Sequence, residues 1–62
     1  MNAVLERGRV IRIDEDGRAV VESVDSPGVI TLPMRSAVPV SEWDNVLFCE
    51  FADGQGVILA LM

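Results

Sequence analysis

Glycine or proline falls at residues 8, 17, 27, 28, 33, 39, 54 and 56, and this punctuation constrains the fold more than any other feature of the chain. A helix interior tolerates neither residue well, so no helix longer than two turns is expected. Short β-patterned segments fit between the breaks. Residues 8–14 (GRVIRID) are rich in β-branched side chains, and Asp16-Gly17 then supplies a hairpin turn. Residues 18–25 (RAVVESVD) alternate as a second strand, and Asp25-Ser26-Pro27-Gly28 makes a second turn. Residues 29–32 (VITL), ended by Pro33, form a third strand. Pro33 and Pro39 leave the stretch 34–44 irregular, with Ser41-Glu42-Trp43-Asp44 able to cap a single helical turn. Residues 45–52 (NVLFCEFA) and 56–62 (GVILALM), joined by a glycine turn, are the fourth and fifth strands.

Five short strands with a break after the third predict an all-β domain: a small five-stranded closed barrel, OB-like, with an SH3-like barrel as the alternative. One domain spans 1–62. The last two strands depart from simple alternation. Val46 and Phe48 lie on one face and Leu47, Cys49 and Phe51 on the other; Val57, Leu59 and Leu61 oppose Ile58, Ala60 and Met62. A strand of a solitary barrel alternates apolar inside with polar outside, whereas these are apolar on both sides. One face fills the barrel; the other needs cover from a second subunit or from the irregular segment 34–43. Trp43, Leu47, Phe51, Ile58 and Met62 are the expected oligomer-interface residues.

Size points the same way. A 62-residue chain buries only roughly 60% of the surface its unfolded form exposes, so natural domains of this length recruit disulfides, metals or partner subunits. Cys49 is the single cysteine and there is no histidine, which excludes an internal disulfide and a zinc site built from those two residue types. Self-association is the stabiliser that remains. Ten acidic residues against five arginines, with no lysine, give a formal net charge of -5, a poor electrostatic footing for nucleic acid. Arg7, Arg9 and Arg12 still form a small local basic cluster. The N-terminal segment reaches charge too early for a signal peptide, and no apolar run approaches a membrane span. The free cysteine fits a reducing cytoplasm.

The sequence offers no catalytic constellation. Without histidine the common serine and cysteine triads cannot assemble, and Cys49 has no cationic neighbour in sequence to activate it. Asp14-Glu15-Asp16-Gly17 lacks the remainder of a calcium loop. Gly54-Gln55-Gly56 is followed by a strand, so the helix N-terminus of a phosphate cradle is missing. No enzyme activity, cofactor or metal is expected. Trp43 either plugs one end of the barrel or anchors an intersubunit contact.

Gly8-Arg9-Val10-Ile11-Arg12-Ile13-Asp14, Arg18-Ala19-Val20-Val21, Ile30-Thr31-Leu32-Pro33, Asp44-Asn45-Val46-Leu47-Phe48 and Gly54-Gln55-Gly56-Val57-Ile58-Leu59 together resemble the OB-fold domains of phage baseplate assembly and tail-spike proteins. The resemblance runs from Gly8 onward. Trp43 departs from it, standing where the family usually has glycine, and so does Ala60, where a glycine commonly follows the final leucine. The resemblance implies a stand-alone OB module of phage or prophage tail origin. Such a module is a structural connector, trimeric about a central axis, assembled into a phage-like particle through contacts with other protein subunits. An OB module that binds single-stranded nucleic acid is the alternative, although the second and third strands carry no aromatic platform. An accessory domain of a larger protein complex is a further alternative.

Overall fold

A computed structural model of the chain describes residues 3–62 as five strands in one curled sheet. They are β1 (Ala3–Ile13), β2 (Ala19–Ser23), β3 (Arg35–Ser36), β4 (Asn45–Phe51) and β5 (Gly56–Leu61), in the spatial order β2-β1-β4-β5-β3. All neighbours are antiparallel except β3 and β5, which run parallel. The all-β expectation holds. None of the described residues forms a helix long and apolar enough to cross a membrane.

β1 organises the sheet because it is long enough to serve two partners. Its first half pairs with β4, from Ala3↔Phe51 to Arg9↔Asn45, and its second half pairs with β2, from Gly8↔Ser23 to Ile13↔Ala19. Gly8 belongs to both ladders, as does Arg9, and marks where β1 passes from one partner to the other. The expected start at Gly8 is therefore corrected: the strand begins five residues earlier, and glycine lies inside it. A β-carbon on Gly8 would overlap the Val21 side chain and lie 2.8 Å from the Phe48 ring. The glycine is there for close approach, not to end a strand.

The expected closed barrel is also corrected. The sheet is a half-barrel, open between β2 and β3. The third strand lies at Arg35–Ser36 rather than at 29–32. Residues 29–34 meet β2 in two isolated bridges: Ala19↔Met34, and Glu22↔Ile30, flanked by bonds from the Ser23 amide to the Val29 carbonyl at 3.0 Å and from the Thr31 amide to the Val21 carbonyl at 2.9 Å. Pro33 has no N–H to donate, so the ladder breaks between Thr31 and Met34. The Thr31 hydroxyl repairs part of the loss by accepting from the buried Val21 amide at 3.0 Å.

The concave face holds the core: Val10, Ala19, Val21, Met34, Val46, Phe48 and Ile58, with Ile13, Val38 and Val40 packed against it. Burying each of the larger side chains contributes about 1.5–3 kcal/mol. The 34–43 segment thus turns Met34, Val38 and Val40 inward as a plug over the concave side, while Ala37 and Trp43 stay exposed. At its end residues 41–44 form a tight turn in place of the expected helical turn. The Asp44 amide donates to the Ser41 carbonyl at 3.2 Å, and the Ser41 amide donates to Asp44 Oδ2 at 2.7 Å. Trp43 sits in this turn at φ 73, the left-handed conformation that glycine favours. The departure from glycine noted in the sequence therefore falls at a position whose backbone calls for it.

Candidate functional site

Strand register sorts the remaining side chains. Gly8, Val10, Val46, Phe48 and Ile58 face inward, so the alternate positions face out. Two convex rows cross the sheet, Leu5–Cys49–Val57 and Arg7–Leu47–Ala60, and Ala3–Phe51 adds a partial third. Leu5 is 59% exposed, and Leu47, Cys49, Phe51, Val57 and Ala60 are half-buried. Leu59 is the extra residue of a bulge in β5 opposite Leu47 and is 42% exposed beside them. Together these residues form an apolar floor across three strands. Among the described residues, ten large apolar side chains are exposed against eight apolar side chains buried, an inversion that a solitary soluble domain rarely tolerates.

The expected interface residues divide. Leu47 and Phe51 lie on this floor. Trp43 and Met62 are exposed, Trp43 in its turn and Met62 beside a cleft of about 280 Å³ that it lines with Arg7, Gly8, Val24, Asn45 and Val46. Ile58 is corrected: at 0% exposure it pairs with Phe48 inside the core and has no surface to offer. The bulge at Leu59 shifts the alternation by one residue, which sends Val57 and Ala60 outward and Ile58 inward. Leu5, Cys49, Val57 and Ala60 complete the floor without having been expected there. For Leu5 the signal was the β-forming run Ala3-Val4-Leu5 leading into Gly8.

Charge is segregated around the floor. Four of the five arginines occupy outward strand positions: Arg7 and Arg9 on β1, Arg35 on β3, and Arg12 on β1 beyond a bulge at Ile11 that sets it opposite Val20. No carboxylate shares an outward position on β1, β3, β4 or β5. Glu22, across from Arg9 on β2, is engaged: its Oε2 accepts from the Gly28 amide at 3.0 Å. Glu6 and Glu50 have the inward parity, and the other acidic residues lie in the connections. Among the described residues the one ion pair is Arg7 to Asp25, at 3.2 Å, with both side chains more than half exposed. Its contribution to stability is small.

A second feature lies at the opposite end of the chain's turns. A cleft of about 340 Å³ opens between the β1–β2 and β4–β5 connections, lined among others by Asp14, Asp16, Arg18, Pro33, Arg35 and Gln55. Two arginines meet two carboxylates there, and no aromatic side chain lines it. Asp14 Oδ1 is already committed, accepting from the Asp16 and Arg18 amides at 3.0 and 2.9 Å. No cluster of metal-ligating side chains occurs among the described residues. No family model matches the chain, and comparison with curated proteins and with solved structures finds no match.

Proposed function

We propose that this chain is a non-enzymatic OB-type assembly module that associates with copies of itself through the convex face of β1, β4 and β5. The observation that carries the reading is the apolar floor of Leu5, Leu47, Cys49, Phe51, Val57 and Ala60, left uncovered because the 34–43 segment packs inward. A stable interface takes about 800 Å² from each partner, and this chain's accessible surface is 4131 Å². A second copy on the floor would therefore cover about a fifth of the molecule. The OB assignment is supported by strand order. β4 returns to lie beside β1, β2 flanks β1 on its other side, and the Ala19↔Met34 bridge leads from β2 to β3, which amounts to a Greek key in a partly open five-stranded sheet. The sequence resemblance to phage baseplate assembly and tail-spike domains supports placing the module in a phage or prophage tail assembly.

Sedimentation velocity across the micromolar range, paired with alkylation of Cys49, tests the self-association. The expected result is a mass that rises above 6.7 kDa with concentration, toward a trimer if the resemblance extends to assembly, while Cys49 modification slows in step. A chain that stays monomeric with an equally reactive thiol at all concentrations would overturn the proposal.

One observation favours a second reading, in which the cleft between the β1–β2 and β4–β5 connections takes a single-stranded polymer. Arg18 and Arg35 line it, and OB domains use that region for oligonucleotides and oligosaccharides. The neighbouring Asp14 and Asp16 and the lack of a stacking platform oppose it. A salt-titrated oligonucleotide assay is expected to show no saturable binding in the micromolar range; tight, salt-sensitive binding would move the assignment to the cleft.

A further inference from the structure

We infer that Trp43 of one copy is the anchor that seats on the convex apolar floor of the next. The inference rests on the self-association proposed above and specifies its contact.

Three independent features of the molecule meet in it. The first is the cost of having tryptophan at this position. Residue 43 is held at φ 73, where a bulky side chain is disfavoured and glycine is not. The turn that imposes this conformation is pinned on both sides. The Trp43 amide donates to the Val10 carbonyl at 2.6 Å, and the Val10 amide donates to the Asp44 carbonyl at 2.9 Å. The second feature is that the side chain of the strained residue has no place in the core of its own fold. Trp43 is 65% exposed and belongs neither to the core nor to the residues packed against it. It therefore lies on no floor within its own chain. An exposed tryptophan on a rigid turn is the kind of side chain that dominates interface energetics once it is desolvated.

The third feature is charge. Trp43 is flanked by Glu42 and Asp44. The floor is bordered by Arg7 and Arg9 on β1 and by Arg35 on β3, and no outward carboxylate lies on β1, β3, β4 or β5; Glu22, across from Arg9, lies on β2. Among the described residues, Arg9, Arg12 and Arg35 have no acidic partner within ion-pair distance, and Glu42 has none either. The turn carries acidic charge and the border of the floor basic charge, with Glu42 and Arg35 unpaired among the described residues. This favours a contact of the turn of one copy on the floor of another over a contact of floor on floor.

The test uses the fact that Trp43 is the only tryptophan. Emission of the unaltered chain is recorded alongside sedimentation from low to high micromolar concentration, then repeated with Trp43→Gly by sedimentation and circular dichroism. The expected result is a blue shift of the emission that tracks assembly. Trp43→Gly should fold at least as stably as the parent, because glycine takes positive φ freely, and should need at least about tenfold higher concentration to assemble. Assembly without a change in emission, or assembly of Trp43→Gly at the parent's concentration, would overturn this contact while leaving self-association in place. A parent chain that is monomeric throughout would overturn both. The emission arm needs no variant, so the inference stays testable even if Trp43→Gly fails to fold.

Discussion

Ile58→Asp should abolish the cooperative unfolding transition, whereas Leu47→Asp should leave the fold intact and abolish assembly. The two residues are neighbours in the β4–β5 ladder but face opposite sides of the sheet. Ile58 pairs with Phe48 at 0% exposure, and Leu47 pairs with Ala60 on the half-buried convex face. Aspartate at 58 forfeits about 1.5–3 kcal/mol of apolar burial. It also places a carboxyl among Phe48, Val46 and Met34, where the polar side chain beside it in register, Ser36, already donates to the Val38 carbonyl, adding about 2–7 kcal/mol. At about 0.05–0.15 kcal/mol per residue the whole domain has only about 3–9 kcal/mol to lose. Circular dichroism of Ile58→Asp should therefore show a disordered chain even without denaturant. Leu47→Asp instead puts a charge in the middle of a surface proposed to be dry in the assembly. Its circular dichroism at low concentration should match the parent's, and its sedimentation should be that of a monomer. A folded Ile58→Asp would refute the inward placement of that strand; a Leu47→Asp chain that assembles normally would refute the convex interface.

That contrast was only half legible in the sequence. The apolar excess on both faces of β4 and β5 is plain from composition and alternation, and so are the turns at Asp16-Gly17 and Gly54-Gln55-Gly56. Which residue of β5 faces the core is not. Period-two alternation is displaced by a single inserted residue, and the bulge at Leu59 leaves no mark in the amino-acid pattern. The same limit hid the arginine border of the floor: Arg7, Arg9 and Arg12 looked like a loose basic cluster until register put them on the outward side. Pro33 gave a true warning, since it breaks the pairing of residues 29–34 with β2 and leaves the sheet open on that side. Gly8 reads as punctuation in the sequence, whereas its role depends on Val21 and Phe48, neighbours distant in sequence.

Gly8→Ala should lower the thermal midpoint by roughly 10–20 °C, more than the equivalent change at Gly17, although Gly17 holds the stranger backbone conformation. At Gly17 φ is 81 and nothing lies within 4 Å of a built β-carbon, so alanine meets backbone strain alone, a cost of about 1–2 kcal/mol. Gly8 needs no unusual φ. An alanine methyl there would overlap Val21, approach the Phe48 ring to 2.8 Å and lie 2.9 Å from the Glu22 carbonyl oxygen. None of the three can step aside cheaply. Val21 and Phe48 are fully buried core residues, and the Glu22 carbonyl is backbone in the strand laddered to β1. Overpacking of this kind costs typically about 1–3 kcal/mol, and occasionally more. The rigid neighbours favour the upper end, even after alanine recovers about 0.5–1 kcal/mol through its lower unfolded-state entropy. A domain this size shifts by roughly 4–8 °C per kcal/mol, which gives the stated range. Because Gly8 pairs with β2 and β4 at once, relief can come only by parting β1 from one of these neighbours, which loosens the core around Val21 and Phe48. Thermal melts of the two alanine variants at one low concentration decide the matter: if Gly17→Ala is the more damaging, close approach at the β1 crossing is not what shapes the half-barrel.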